Sequence, residues 1–154
     1  MPTTLAGVHH VASLTEDLDR LTEFYRVVFD AEVTFVLEED GLRHAMIELG
    51  AGAALHPFEI TGNPHGRGLS SAFGRGHLDH LALNVADDAT FERLRHRLVE
   101  VGASDGAVTD FGTVRSVSFR DPDGAECEIA RWCGAGEPRR FADRVTERYV
   151  GATT

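Results

Sequence analysis

The chain has 154 residues, 42% of them hydrophobic and 26% charged, a composition that fits one globular domain or two small repeats sharing a core and excludes a disordered segment. Its 25 acidic residues outweigh 15 basic ones, and a formal net charge of −10 argues against nucleic acid as a partner, because no basic stripe is offered to phosphates. No apolar run reaches the roughly 20 residues that span a bilayer, and residues 1–7 lack the basic start and apolar stretch of a signal peptide, so the expected location is the cytoplasm, away from membranes.

In chain order, residues 7–14 form a short strand-like run with a histidine near its start. Thr15 is the expected cap of a helix whose first turn holds Glu16, Asp17 and Asp19 and whose apolar stripe is Leu18, Leu21, Tyr25 and Val28. Strands follow at 32–37, 43–49 and 53–60, with a turn at 50–52. The pattern then repeats. Residues 78–85 match 7–14, Asp87 or Asp88 caps a second helix with the stripe Phe91, Leu94, Leu98 and Val101, and Gly102 ends it. Strands are expected at 107–110, 114–120 and 126–132, the last two joined by the tight turn Asp121-Pro122-Asp123-Gly124. The expected organisation is a βαβββ module over 7–60, a linker over 61–75, a second βαβββ module over 76–132, and a C-terminal helix and tail over 133–154. Phe141, Val145 and Tyr149, four apart, supply that final helix with its stripe. Cys127 and Cys133 are too few and too close for a disulfide framework or a zinc site.

Side chains alternate faces along a strand, so polar residues on apolar strands are informative. Val11 lies opposite His10 in parity, and Leu81, Leu83 and Val85 lie opposite His80. The apolar set suits packing on the helices and sends both histidines to the other face. Phe58 and Ile60 flank Glu59, and Cys127 and Ile129 flank Glu128, so both carboxylates are expected to point away from the helices too. His10 and His80 are 70 residues apart and Glu59 and Glu128 are 69 apart, which places four ligand-type side chains at matching points of two repeats. Imidazole and carboxylate are the usual donors to iron, manganese, nickel and zinc in sites open to substrate. Alternation puts His9 on the helix side, and His56 shares the parity of Phe58, unless a bulge at Pro57 breaks the alternation.

These residues resemble the vicinal oxygen chelate superfamily, also called the glyoxalase, bleomycin-resistance and extradiol-dioxygenase superfamily. His10-Val11-Ala12 followed by Asp17-Leu18 and Phe24-Tyr25 resembles its first-module signature, Leu78-Asp79-His80-Leu81-Ala82-Leu83 its second-module opening, and Phe119-Arg120-Asp121-Pro122-Asp123-Gly124 with Glu128 its closing hairpin. The resemblance implies an α+β fold of two paired βαβββ modules curling into an open, cupped barrel around a metal, and commonly a homodimer. It implies His10, His80 and Glu128 as metal ligands, with Glu59 at the fourth position used by glyoxalase I. Asp30 stands where the glyoxalase I signature has a glycine, and Gly76-His77-Leu78-Asp79-His80 departs from its second signature, which argues against a glutathione substrate.

The function implied is a divalent-metal enzyme acting on a small molecule with vicinal oxygens. The first expectation is dioxygenase-like chemistry at a His/His/Glu site holding Fe2+, with Mn2+, Ni2+, Co2+ or Zn2+ as the other ions. The alternative is a glyoxalase-like lyase or an isomerase or epimerase with Glu59 and Glu128 moving protons, and a third reading is a metal-free, drug-binding protein of the bleomycin-resistance kind. Arg75 and Arg115 are candidates to meet an anionic substrate, and His44, His56 or Tyr149 to act as acid or base. Pocket walls are expected from 34–37, Met46, 72–75 and 108–115.

Overall fold

The computed structural model describes residues 8–63, 78–134 and 137–151. The chain divides into two compact units between Gly68 and Leu69. Unit 1 runs β1 (His10–Thr15), α1 (Leu18–Phe29), β2 (Val33–Glu39), β3 (Leu42–Gly50) and β4 (Ala53–Ile60), and its four strands stand in the order β1-β4-β3-β2. Unit 2 runs β5 (Leu81–Asn84), α2 (Asp88–Glu100), β6 (Val108–Asp110), β7 (Val114–Arg120) and β8 (Glu126–Trp132), followed by a 3-10 turn (Phe141–Asp143) and β9 (Val145–Glu147). Its sheet has the order β5-β8-β7-β6-β9. Both units therefore have the expected βαβββ order, with the opening strand parallel to the closing one and the other pairs antiparallel. Among the described residues no helix is long and apolar enough to cross a membrane.

Each helix lies on one face of its own sheet. Leu18, Leu21, Tyr25 and Val28 of α1 are buried, as are Ala45 and Ile47 of β3 and Leu55 of β4. In unit 2, Phe91 and Leu98 of α2 are buried, with Val117 and Phe119 of β7 and Cys127 and Ile129 of β8. Burying each large apolar side chain contributes roughly 1.5–3 kcal/mol. The start of α1 differs from expectation in detail, while that of α2 agrees with it. Asp17, not Thr15, caps α1 by accepting from the Arg20 N–H, while Thr15 Oγ1 accepts the Asp17 N–H. Asp87 caps α2 by accepting from the Thr90 N–H at 2.7 Å. Asp30 ends α1 with φ +54°, ψ +30°. That left-handed position explains why a glycine would suit it, and aspartate is among the few other residues that tolerate it.

Two further expectations are overturned. In α2 the three buried positions are Phe91, Arg95 and Leu98, with Arg95 in place of Leu94, and Val101 is 47% exposed. The guanidinium is kept inside by bonds from Nε to the Gly106 carbonyl (2.6 Å) and from Nη1 to Glu92 (3.1 Å) and Glu147 (3.4 Å). The expected C-terminal helix over 138–150 is instead a single 3-10 turn and a strand. β9 pairs antiparallel with β6, Val108 opposite Glu147 and Asp110 opposite Val145. The free edge of β6 offers backbone partners that the tail alone lacks, and a Val-Thr pair suits a strand better than a helix. Tyr149 then lies against α2, its ring under the Arg95 guanidinium at 5.1 Å and its hydroxyl 2.6 Å from His96 Nδ1.

Candidate functional site

In unit 1, register fixes which residues share a face. β1 and β4 pair with Ala12 opposite His56, Leu14 opposite Phe58 and Thr15 opposite Glu59. Thr15 is 4% exposed and Leu55 and Pro57 are buried, so Leu55, Pro57 and Glu59 belong to the helix face. His10, Ala12, His56 and Phe58 belong to the other. The expectation that Glu59 points away from the helices is therefore overturned, and so is the helix-facing parity of His56 and Phe58. The reason is that β4 is apolar on both faces, so its flanking residues do not identify the core side. The Glu59 carboxylate receives the Leu18 N–H at 2.7 Å, at the first turn of α1, and Arg43 Nη1 at 3.1 Å. It thus meets an unpaired donor at the positive end of a helix and a guanidinium that also bonds Asp19 at 2.8 Å.

On the opposite face the sheet gathers imidazoles. His10 and His56 have ring centroids 5.6 Å apart at 70°, and His44 Nδ1 shares a 2.9 Å hydrogen bond with His56 Nε2. His44 stacks on Phe58 at 5.3 Å and 9°, and the Phe35 ring stands edge-on to both His44 and His56. His9, expected on the helix side, is exposed and its Nδ1 lies 2.9 Å from that of His10. The pKa of His56 is lowered, first by burial and then by the neighbouring His44 and His10, which keeps it neutral to lower pH than an ordinary histidine. Neutral imidazole is the form that donates to a metal.

In unit 2 the expected parity of Glu128 agrees with the structure: Cys127 and Ile129 are buried on the helix side, and Glu128 stands opposite Ala82 on the other. Its partner among the described residues is the Ser118 hydroxyl at 3.4 Å, directly across β7. His80 precedes β5 and sits 3.0 Å from the Asp79 carboxylate through Nδ1, which directs Nε2 outward. Sequence reasoning did not single out Asp79, although its place beside a candidate ligand was a usable signal, since a carboxylate behind a histidine is a frequent support for metal ligation.

The remaining candidates separate clearly. Arg115 lies over the Phe91 ring on the helix side, within 3.8 Å of Glu92 and Glu147, and Tyr149 is held against α2. Neither faces the side that carries Glu128. Arg75 and His77 fall outside the described residues. Among the described residues, no group of three or more His, Cys, Asp or Glu side chains is assembled as a metal cage. Unit 1 presents His10 and His56 with His44 behind, and unit 2 presents His80 and Glu128 with Asp79 and Ser118 behind. Imidazoles, and a carboxylate without a cation partner among the described residues, are donor chemistry that fits a divalent transition metal.

Comparison with known proteins agrees with this architecture. A family model described as the Glyoxalase/Bleomycin resistance protein/Dioxygenase superfamily matches residues 7–129. A 2-epi-5-epi-valiolone epimerase from Actinomyces sp is 35% identical, the match covering 80% of this chain and 78% of that protein. A glyoxylase/bleomycin resistance protein/dioxygenase domain from Frankia sp. EAN1pec superposes with a TM-score of 0.73 at 26% identity, over 84% of this chain and 99% of that one. The fosfomycin resistance protein FosX from Listeria monocytogenes, in complex with Mn(II) and sulfate, shares the fold at a TM-score of 0.61 and 19% identity, over 83% and 93% of the two chains.

Proposed function

Because the chain belongs to the glyoxalase/bleomycin resistance protein/dioxygenase superfamily, we propose that it is a divalent-metal-dependent epimerase or isomerase acting on a small hydroxy-ketone with vicinal oxygens. The observation that carries this reading is the 35% identity to an epimerase over most of both chains. It moves epimerase chemistry ahead of the dioxygenase chemistry expected from sequence motifs. The residues proposed to hold the metal are those that the family resemblance implies, His10, His80 and Glu128. A bound divalent ion would act as a Lewis acid on the ketone and acidify the neighbouring C–H.

The protein's own groups then divide the remaining tasks. Asp79 holds the His80 ring and its tautomer through the 3.0 Å contact at Nδ1. Ser118 steadies Glu128, which would take the proton from one face of the substrate carbon, while water at the opposite face would return one and so invert the centre. Leu14, Phe35, Leu37, Met46 and Phe58 share the face of the unit 1 imidazoles and give it an apolar surround. A homodimer and a cytoplasmic location complete the proposal.

Proton abstraction leaves a label. Metal-loaded protein incubated in D2O with a panel of cyclic and open-chain hydroxy-ketones is expected to place deuterium at the carbon beside the carbonyl, seen by NMR. Absence of exchange across the panel, together with oxygen uptake on catechols by the Fe(II)-loaded protein, would establish the dioxygenase chemistry instead.

A further inference from the structure

We infer that unit 1 offers a metal ion two imidazoles, His10 and His56, with His44 holding the second in place, and that Glu59 is not a donor. The inference deepens the proposed function and rests on its metal site.

Register carries the first part. In unit 2 the closing strand sets Glu128 opposite Ala82, two residues beyond His80. In unit 1 the closing strand sets His56 opposite Ala12, two residues beyond His10. His56 therefore occupies in its own unit the place that Glu128 occupies in the other, and Glu59 is three residues further along, on the opposite face.

Ring geometry carries the second. A metal–nitrogen bond of about 2.0–2.1 Å puts an imidazole centre about 3 Å from the ion, so two rings sharing an ion have centres about 4.5–6 Å apart. The 5.6 Å between His10 and His56 lies in that range.

Support behind the ring carries the third. His44 engages Nε2 of His56 at 2.9 Å, which leaves Nδ1 of His56 as the donor. The plane of His44 is itself set by the parallel Phe58 ring. Ligating histidines commonly anchor their second nitrogen in this way, and losing the anchor typically weakens metal binding about 10–100-fold. Glu59 has the opposite circumstances, with one carboxylate oxygen receiving both a helix N–H and Arg43. The two imidazoles of unit 1 favour Fe(II), Co(II), Ni(II) or Zn(II) over the harder Mg(II) and Ca(II), which prefer oxygen.

The test is Co(II) titration of chelator-stripped full-length protein, followed by calorimetry and by the visible d–d spectrum, with circular dichroism to show that each variant is folded. His56→Ala is expected to weaken Co(II) binding at least about tenfold and to change the spectrum, and His56→Glu to restore affinity with a different spectrum. His44→Ala should weaken binding while His44→Asn, which keeps a hydrogen-bonding group, recovers part of it. Glu59→Gln should bind with the wild-type affinity and spectrum. If His56→Ala behaves as wild type while Glu128→Ala loses the metal, the inference is wrong and the metal site of the proposed function stands. If Glu59→Gln shifts the spectrum and His56→Ala does not, the donor is Glu59. Failure of the wild-type protein to bind Co(II), or indifference of binding to Glu128→Ala, would remove the proposed metal site and this inference with it.

Discussion

The two closing strands, β4 and β8, began from the same pattern in sequence and serve opposite purposes in the structure. Each carries a glutamate flanked by apolar residues. Glu128 stands away from α2, beside Ser118, whereas Glu59 turns to α1 and accepts from Leu18 and Arg43. Equal spacing between repeats is thus a weaker guide than hydrogen-bonded register, because a shift of one residue exchanges the faces. The place matching Glu128 is filled by His56.

This contrast is open to direct attack. The largest effect is expected at Glu128: Glu128→Ala should lower divalent-metal affinity about 100-fold or more by calorimetry, since a direct ligand matters more than the supports worth 10–100-fold. Next, Ile129→Ala, one residue along β8 on the fully buried side, should destabilise the protein by about 2–5 kcal/mol in urea unfolding, through lost transfer energy and the cavity left behind. It would show that adjacent residues of β8 divide into ligand and core. Smaller again, Glu59→Ala should cost about 1–2 kcal/mol, the usual scale for a lost helix cap or charge-assisted bond, with metal affinity unchanged. A loss of metal affinity with unaltered stability would reverse the assignment of the two glutamates.

The smallest expected effect concerns pH and the strand beside the tail. The Asp110 pKa is held below the ordinary carboxylate value, chiefly by the Gly112 N–H and then by Arg139. A lowered folded-state pKa means that the stabilisation is complete above the unfolded value, near about pH 4, and disappears as pH falls through the folded one. Wild type should therefore exceed Asp110→Asn in melting temperature at neutral pH, and the gap should close on acidification below about pH 4. A gap that is constant down to pH 2 would sever the link to ionisation.

Much of unit 2 was legible in sequence because its signals agree. Cys127 and Ile129 alternate with Glu128, the Asp121–Gly124 turn has the right residues, and Asp121 Oδ1 does accept from the Asp123 and Ala125 N–H groups. Unit 1 gave its element order but not the orientation of β4. Leu55, Pro57, Phe58 and Ile60 put apolar side chains on both faces, and only pairing to β1 separates them. The histidine cluster was invisible for the same reason, as His44 and His56 come from different strands. The tail was misread because a stripe at spacing four says nothing of the vacant edge of β6 that captures it.

That capture has a practical side. Arg95 is nearly inaccessible to solvent, and among its partners are Glu147 and the ring of Tyr149. Trimming the chain after residue 134, where the family match has already ended, would uncover β6 and strand a buried guanidinium. Engineering by fusion or truncation should leave the segment through Tyr149 intact, because those last residues behave as the keystone of their unit and not as its fringe.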